Sequence, residues 1–264
     1  MAIASIGDAD IYYEEHGQGE PLLLIAGLGG VGSYWAPNLA AFSARYRTVI
    51  HDHRGTGSST HSRIQYSVQQ MADDTVRLMD ALNIERAHIV GHSTGGAIGQ
   101  VLAIDHPERV KSVVMYATWT KSDPFMHRVM AARKALVLAS GPLAYIRTTP
   151  VFLYPDWWVN ENDALLTSRE ERGMKTFPAA EIAASRIEAV LSFDRCADLH
   201  RIKTPTLVLC AKDDFLTPAY YSEQLHEAIP GSQLLMLPRG GHACSESVPE
   251  EFNRAALDFL GSVS

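Results

Sequence analysis

Short apolar runs recur along the chain, separated by longer segments in which apolar residues return every three or four positions. Residues 21–26 are continuously apolar, which is typical of a strand buried on both faces of a parallel sheet. Strands separated by helices predict βαβ crossovers, and hence an α/β fold with a mostly parallel, doubly wound sheet. The other predicted strands are residues 11–15, 48–51, 87–90, 112–116, 206–210 and 234–237.

The helices between these strands have recognisable beginnings. Ser67 is followed three residues later by Gln70, which is the capping-box pattern of a helix N-terminus, and apolar residues then recur at helical spacing. A second predicted helix begins after Ser93 and runs toward Pro107, and a late one covers residues 249–260.

One long segment, residues 119–200, interrupts the alternation of strands and helices. Its pattern is mostly helical, it contains an aromatic cluster at residues 152–158, and no buried parallel strand can be placed in it. We therefore expect a core formed by residues 1–118 and 201–264. Residues 119–200 are predicted to form a helical cap, or lid, inserted over the sheet.

Composition narrows the functional classes. The chain is 46% hydrophobic and 20% charged with a net charge of −7, and it has no basic stripe, which argues against a nucleic-acid partner. The three cysteines, Cys196, Cys210 and Cys244, form no CxxC pair, so neither a zinc ribbon nor a disulfide framework is predicted. The N-terminus lacks the pattern of a signal peptide, and continuous apolar runs are far shorter than the roughly 20 residues of a membrane span. We expect a cytoplasmic protein without a membrane partner.

The strongest chemical motif lies between a predicted strand and a predicted helix. Gly91, Ser93 and Gly95 form the pattern G-x-S-x-G, the nucleophile elbow, in the structural context that this motif requires. The two glycines leave room for the strand and the helix to approach each other at a strained turn. The alternative interpretation is an ordinary strand–turn–helix connection that contains glycine.

A serine nucleophile needs a base, and the base needs an orienting carboxylate. Among the eleven histidines of the chain, His242 stands out because it follows the last predicted strand and two glycines. Asp213 and Asp214 follow the preceding strand, and Asp123 is a more distant candidate. The order serine, aspartate, histidine is the one expected for this motif.

Acyl transfer also needs N–H donors for the oxyanion of the intermediate. The backbone N–H of Thr94, directly after the nucleophile, is one candidate. The second is the N–H of Leu28, in the glycine-rich loop that follows residues 21–26.

The same glycine-rich loop permits a competing interpretation. Residues 27–32 match G-x-G-x-x-G, and Asp52 follows about 20 residues later, as in dinucleotide-binding oxidoreductases. Against this, Tyr34 and Trp35 are large where a helix should pack tightly on a strand, and Pro37 shortens that helix. A non-catalytic binding module is a further alternative, which an intact serine–aspartate–histidine set disfavours.

His51 and His53 lie on the same face of one predicted strand, so a metal pair is geometrically possible. Two ligands without a third make a poor zinc site, and we predict no metal.

The chain resembles α/β-hydrolases of the 3-oxoadipate enol-lactonase and cofactor-free peroxidase type. The matching segments are residues 26–29, 52–57, 91–95, 214–218 and 240–242. In sequences of this kind the acid lies four residues before a proline, which favours Asp214 over Asp213. A more specific similarity, to the pyrimidine-utilisation protein D group, rests on residues 27–35, 152–155 and 241–244.

The resemblance implies a serine hydrolase that cleaves a small ester, lactone or activated carbamate through an acyl-enzyme. The enzyme expected from the resemblance needs no metal or organic cofactor, binds a small-molecule substrate and is a monomer or homodimer. An aminoacrylate- or amide-type hydrolase of pyrimidine catabolism and a carbon–carbon bond hydrolase remain alternatives. The candidates for the substrate pocket are Gly27, Trp35, His92, Trp119, Phe152, Trp157 and Trp158. For the aromatic residues among them, packing in the core is the alternative. Candidates to bind a substrate carboxylate, with a solvated surface position as the alternative, are Arg128, Arg147 and Arg186.

Overall fold

The computed structural model describes residues 2–263, which form an eight-stranded sheet with the strand order β1-β2-β4-β3-β5-β6-β7-β8. Strands β1 and β2 are antiparallel to their neighbours, and the strands from β3 to β8 pair in parallel. The predicted α/β class with a mostly parallel sheet is confirmed. The strands are β1 Ala2–Ser5, β2 Asp10–His16, β3 Pro21–Ile25, β4 Arg47–His51, β5 Ala87–His92, β6 Val110–Tyr116, β7 Thr206–Ala211 and β8 Gln233–Leu237.

The central strands are covered on both faces, which explains their continuously apolar sequences. Every residue of β5 and β7 is buried. One face packs against helices α2 (Val68–Ala81), α3 (Thr94–Asp105) and α9 (Ala219–Ala228). The other face packs against α1 (Leu39–Ser43) and α11 (Pro249–Ser262), while the short α10 (Cys244–Ser247) precedes α11.

The predicted cap of α2 is present. The Ser67 side chain accepts a hydrogen bond from the Gln70 N–H at 3.0 Å, which satisfies one of the donors that a helix N-terminus leaves free. The apolar residues behind Ser67 face the core, as their spacing predicts.

Five helices lie between β6 and β7, and this segment contributes no strand to the sheet. A single β-bridge between Lys121 and Asp194 joins its two ends. The helices are α4 Pro124–Ala135, α5 Gly141–Leu153, α6 Asp156–Glu161, α7 Asp163–Thr176 and α8 Ala180–Ser192.

The run from α4 to α5, Pro124–Leu153, is long and apolar enough to cross a membrane, judged by length and composition only. It is not one straight helix. A π-helical turn, Leu136–Ser140, joins the two halves, and Gly141 at φ 84° changes the chain direction.

Strand β1 is the element of the sheet that the sequence pattern does not predict. It is four residues long, lies at the edge of the sheet and is only partly buried, so it lacks an apolar run.

Candidate active site

Ser93 occupies a sharp turn between β5 and α3. Its backbone lies at φ 53° and ψ −113°, a conformation that side-chain-bearing residues rarely adopt. Two hydrogen bonds hold the turn: the Ser93 N–H donates to Tyr116 O at 2.8 Å, and Thr118 Oγ1 donates to Ser93 O at 2.7 Å. The surrounding structure therefore fixes a strained backbone, which is common at functional sites.

Close packing explains the two glycines of the motif. A Cβ atom on Gly91 would lie 2.2 Å from Gly95 O, and one on Gly95 would lie 2.2 Å from Ile25 O. Both contacts involve backbone, which cannot move aside cheaply. The strand, the turn and the helix can thus approach each other only with glycine at both positions.

His242 and Asp214 form a buried pair. His242 Nδ1 lies 3.0 Å from Asp214 Oδ2, and His242 is 1% exposed. The carboxylate also accepts hydrogen bonds from the N–H groups of Leu216 at 2.8 Å and Thr217 at 2.9 Å, and from Thr217 Oγ1 at 2.8 Å. A carboxylate held in this way stays oriented toward Nδ1 and leaves Nε2 as the free nitrogen of the imidazole.

The other two candidate acids have different partners. Asp213 accepts a hydrogen bond from the Gly241 N–H at 2.9 Å, so it ties down the loop that carries the histidine. Asp123 caps α4 by accepting from the Met126 N–H at 2.8 Å, and it accepts from the Tyr220 hydroxyl at 2.6 Å. Within residues 2–263, neither of them contacts the His242 ring.

Two side chains hold the backbone of His242 by hydrogen bonds to its carbonyl oxygen. Tyr116 donates its hydroxyl to His242 O at 2.8 Å, and His92 Nε2 donates to the same oxygen at 3.1 Å. The His92 ring is stacked between Tyr34 and Tyr116, with ring centroids 4.6 and 4.7 Å apart. Burial, assisted by the neighbouring His242, holds the pKa of His92 well below its usual value, so this imidazole is neutral.

Within the described part of the chain, no hydrogen bond joins Ser93 Oγ to the His242 imidazole. Such bonds are often long or misaligned without substrate. Ser93 is 6% exposed and lies beside the glycine-rich loop, since a Cβ on Gly27 would be 3.2 Å from Ser93 Cβ.

The geometry of Asp52 contradicts a ribose-binding role. Its Oδ1 accepts from the Gly32 N–H and its Oδ2 from the Ser58 N–H, both at 2.8 Å, and it is buried. The chain after the glycine-rich loop forms a short 3₁₀ turn, Gly32–Trp35, instead of a long helix that could bind a pyrophosphate. Asp52 therefore fastens two turns together and is not available to a dinucleotide.

His51, the last residue of β4, and His53, two residues further on, are buried and neutral. Burial lowers the pKa of His51 to about 4 and that of His53 well below its usual value. Among residues 2–263, no group of three or more histidine, cysteine, aspartate or glutamate side chains is arranged to hold a metal ion.

A cavity of about 250 Å³ lies between the glycine-rich loop, the turn at residues 56–57 and the helices α5, α7 and α8. Most of its wall is apolar, and its charged side chains come from Arg169, Glu170 and Arg186. Other residues that line the cavity are Leu28, Gly29, Val31, Thr56, Tyr145, Ile146, Thr149, Leu153, Tyr154, Leu166 and Phe177.

None of the predicted pocket residues is among those that line this cavity. Trp35 and Trp119 are fully buried in the two hydrophobic clusters that flank the sheet. Trp158 stacks on Tyr154 with a centroid distance of 4.0 Å, and Phe152 packs against Phe215. Large aromatic side chains gain more from core packing than from a solvated wall.

Gly27, His92 and Trp157 also lie outside the lining of the cavity. Trp157 lies under the guanidinium of Arg239 at 5.0 Å. Gly27 and His92 lie behind the nucleophile, against each other. Of the candidate carboxylate-binding arginines, Arg186 lines the cavity, whereas Arg128 is exposed and Arg147 pairs with Glu170 at 3.0 Å.

Several cavity residues were not predicted at all. Tyr145, Thr149 and Leu166 belong to helices whose sequences give no sign of which side faces the sheet, because the insertion is only partly buried. A cavity wall of this kind has no local sequence pattern.

The site and the fold are typical of α/β-hydrolases, which combine a doubly wound sheet with a nucleophile elbow and a late histidine paired with an acid. Comparisons with known proteins agree. Residues 20–246 match the family model described as alpha/beta hydrolase fold, and the chain belongs to this family. It is accordingly an enzyme of the hydrolase type.

Curated relatives cover the whole chain. A protein of Azorhizobium caulinodans named "Putative carbamate hydrolase RutD" is 43% identical over 263 residues, covering 100% of this chain and 99% of the relative. A protein of the same name from Caulobacter sp. (strain K31) is 42% identical, with 95% of each chain covered. Among solved structures, the enol-lactonase from Burkholderia xenovorans LB400 superposes with a TM-score of 0.91 at 26% identity, covering 98% of this chain and 100% of the enzyme.

Proposed function

We propose that the protein is a serine hydrolase that cleaves small carboxylic esters, lactones or activated carbamates through an acyl-enzyme. The observation that carries the proposal is the conjunction of a strained Ser93 at the elbow with a His242 imidazole held by Asp214. The names of the relatives support carbamates and lactones as substrate classes.

In this mechanism Ser93 Oγ attacks the substrate carbonyl carbon while His242 Nε2 takes the hydroxyl proton. Asp214 keeps the Nδ1 proton in place and stabilises the imidazolium that forms. The imidazolium then protonates the leaving oxygen or nitrogen. Water, deprotonated by His242, attacks the acyl carbon and releases the acid and free Ser93.

The backbone N–H groups of Leu28 and Thr94 are the proposed oxyanion donors. Thr94 is the first residue of α3, so its N–H has no acceptor within the helix and lies at the positive end of the helix dipole. Leu28 lies directly after Gly27, which packs against Ser93. Removing a comparable donor typically costs about 3 kcal/mol of transition-state stabilisation.

The five helices between β6 and β7, in the segment 119–200, are proposed to form a cap over a core of residues 1–118 and 201–264. Its support is that the cavity lies between this segment and the glycine-rich loop. The cap is fastened to the core by Arg169 of α7, which donates to Glu246 at 2.6 Å. The Tyr154 hydroxyl donates to the same carboxylate at 3.0 Å. We infer that this cavity receives the acyl part of the substrate.

The test is turnover of p-nitrophenyl butyrate, a small lactone and an activated carbamate by the wild type and by Ser93→Ala. Loss of a triad serine costs on the order of 10⁴ to 10⁶ in kcat. Ser262→Ala, at an exposed position on α11, is the matched control and should keep full activity. Turnover by Ser93→Ala at the wild-type rate would contradict the mechanism. The relative kcat/KM values rank the three substrate classes.

A further inference from the structure

Arg186 is a buried cation without an acidic partner. It lies on α8 and is 1% exposed. Its hydrogen bonds go to uncharged acceptors: Nη1 donates to Arg54 O at 2.9 Å, and Nη2 donates to Leu28 O at 3.1 Å and to His53 Nδ1 at 3.2 Å. Its Nε is buried and has no hydrogen-bond partner among the described residues.

The other charges of the cavity wall are already neutralised. Arg169 is paired with Glu246 at 2.6 Å, and Glu170 is paired with Arg147 at 3.0 Å. The carboxylate of Asp74, which also acts on the charge of Arg186, forms an ion pair with Arg54 at 2.8 Å. The cavity therefore presents one net positive charge, and it comes from Arg186.

Such a charge is costly to bury. Burial lowers the pKa of Arg186 to about 10, which still leaves the guanidinium protonated at neutral pH. An unpaired buried charge destabilises a fold unless a counter-ion compensates it. A guanidinium with a free Nε–H beside an apolar cavity is a suitable binding group for a carboxylate.

Arg186 is also close to the proposed nucleophile. Its Nη2 bonds the carbonyl of Leu28, and a Cβ on Gly30 would lie 2.8 Å from the same nitrogen, so glycine at that position makes room for the guanidinium. One residue before Leu28, Gly27 packs against Ser93. The glycine-rich loop thus contacts the nucleophile at Gly27 and the guanidinium at Leu28 and Gly30, so one short loop lies against both groups.

We propose that Arg186 is an anion subsite that binds the carboxylate at the far end of a substrate's acyl group. The substrate class is then a half-ester or lactone of a short dicarboxylic acid, or a carbamate whose nitrogen carries a short carboxyalkyl chain, with the apolar carbon chain along the cavity wall. The proposal rests on the proposed function for the position of the scissile bond. It adds a specificity-determining residue that acts by charge.

The first test compares two substrates that differ chiefly in the terminal charge, p-nitrophenyl hydrogen glutarate and p-nitrophenyl valerate. Hydrogen bonds to charged groups are typically worth about 10- to 100-fold in binding, so the wild type should prefer the glutarate by at least about 10-fold in kcat/KM. Arg186→Met should reduce this ratio to within about 3-fold of unity. Arg128→Met removes the same charge at an exposed position outside the cavity and should keep the wild-type ratio.

The ratio separates specificity from structure, because Arg186 also holds Leu28. If Arg186→Met slowed both substrates equally, the residue would be a structural bracket and the proposal would be wrong. The absence of a preference in the wild type would overturn it as well. Arg186→Lys keeps the charge without the planar fork and should retain part of the ratio, which provides a second variant if Arg186→Met does not fold.

The second test does not depend on turnover. Calorimetric titration with glutarate at pH 7 should show binding to the wild type and at least about 10-fold weaker binding to Arg186→Met of unchanged Tm. If glutarate binds through Arg186 while Ser93→Ala hydrolyses esters normally, the subsite stands and the proposed mechanism fails. If Ser93→Ala is inactive and glutarate binds both proteins equally, the mechanism stands and the subsite is wrong.

Discussion

Two adjacent aspartates on one loop provide a sharp test of how the catalytic imidazole is oriented. Asp214→Asn and Asp213→Asn make the same chemical change one residue apart. Asp214 faces His242 Nδ1 at 3.0 Å, whereas Asp213 only accepts from the Gly241 N–H at 2.9 Å. The two variants should therefore differ widely in activity, although each removes one negative charge.

The magnitude follows from the hydrogen bonds. The N–H groups of Leu216 and Thr217 bind Asp214 Oδ1, so in Asp214→Asn the amide oxygen would take that position. The amide NH₂ then faces Nδ1, which must become an acceptor, and the proton moves to Nε2, where the base should be. The same change in a related triad lowers kcat about 10⁴-fold, equivalent to about 5.5 kcal/mol in the barrier.

Asp213→Asn leaves an amide oxygen that still accepts from Gly241, so kcat/KM should fall by no more than about 3-fold. The assay is steady-state hydrolysis of p-nitrophenyl butyrate at pH 8, with thermal unfolding of both variants as the check on folding. Equal losses in the two folded variants, or a larger loss in Asp213→Asn, would refute the assignment of Asp214.

Two further predictions concern the surroundings of the site. Tyr116→Phe removes a hydroxyl that donates to His242 O at 2.8 Å, so kcat should fall about 10- to 100-fold with little change in KM because the imidazole is less well placed. Tyr12→Phe, on β2 next to the edge strand β1, is the control, and an unchanged kcat in Tyr116→Phe would show that the bond is not needed. His51 is buried, and its pKa is lowered from 6.5 to about 4, so the unfolded chain takes up a proton at higher pH than the folded protein. Stability should therefore fall as pH drops from 6.5 to 4, by up to about 3 kcal/mol from this residue. Urea unfolding of His51→Leu should show a correspondingly weaker pH dependence, and an equal dependence in both proteins would contradict this explanation.

The elements that position the nucleophile are encoded locally, which is why the sequence predicts them. The sequence predicts the seven strands from β2 to β8, and the signal is clearest for β3 to β7 because these strands are almost entirely buried, whereas β2 and β8 are only partly buried. The Ser67 cap and the glycines of the elbow are also local, since their requirement comes from neighbouring backbone.

The cavity wall depends on tertiary contacts, and the sequence does not predict it. The sequence alone does not distinguish Arg128, Arg147 and Arg186, because all three are arginines in the same predicted helical segment. Only the fold reveals that the first is exposed, the second is paired and the third is buried without an acid. The positions of the aromatic residues depend on tertiary contacts in the same way: Trp35 and Trp119 are buried in the core, and neither lines the cavity.

The central claim is that Ser93 is the nucleophile, and covalent labelling tests it most directly. The protein is incubated with diethyl p-nitrophenyl phosphate, and the modified peptide is located by mass spectrometry while residual esterase activity is followed. We expect one diethylphosphoryl group on Ser93, with activity lost in proportion to labelling, and no adduct in Ser93→Ala. Loss of activity with the label on another residue, or full activity with Ser93 fully labelled, would contradict the account.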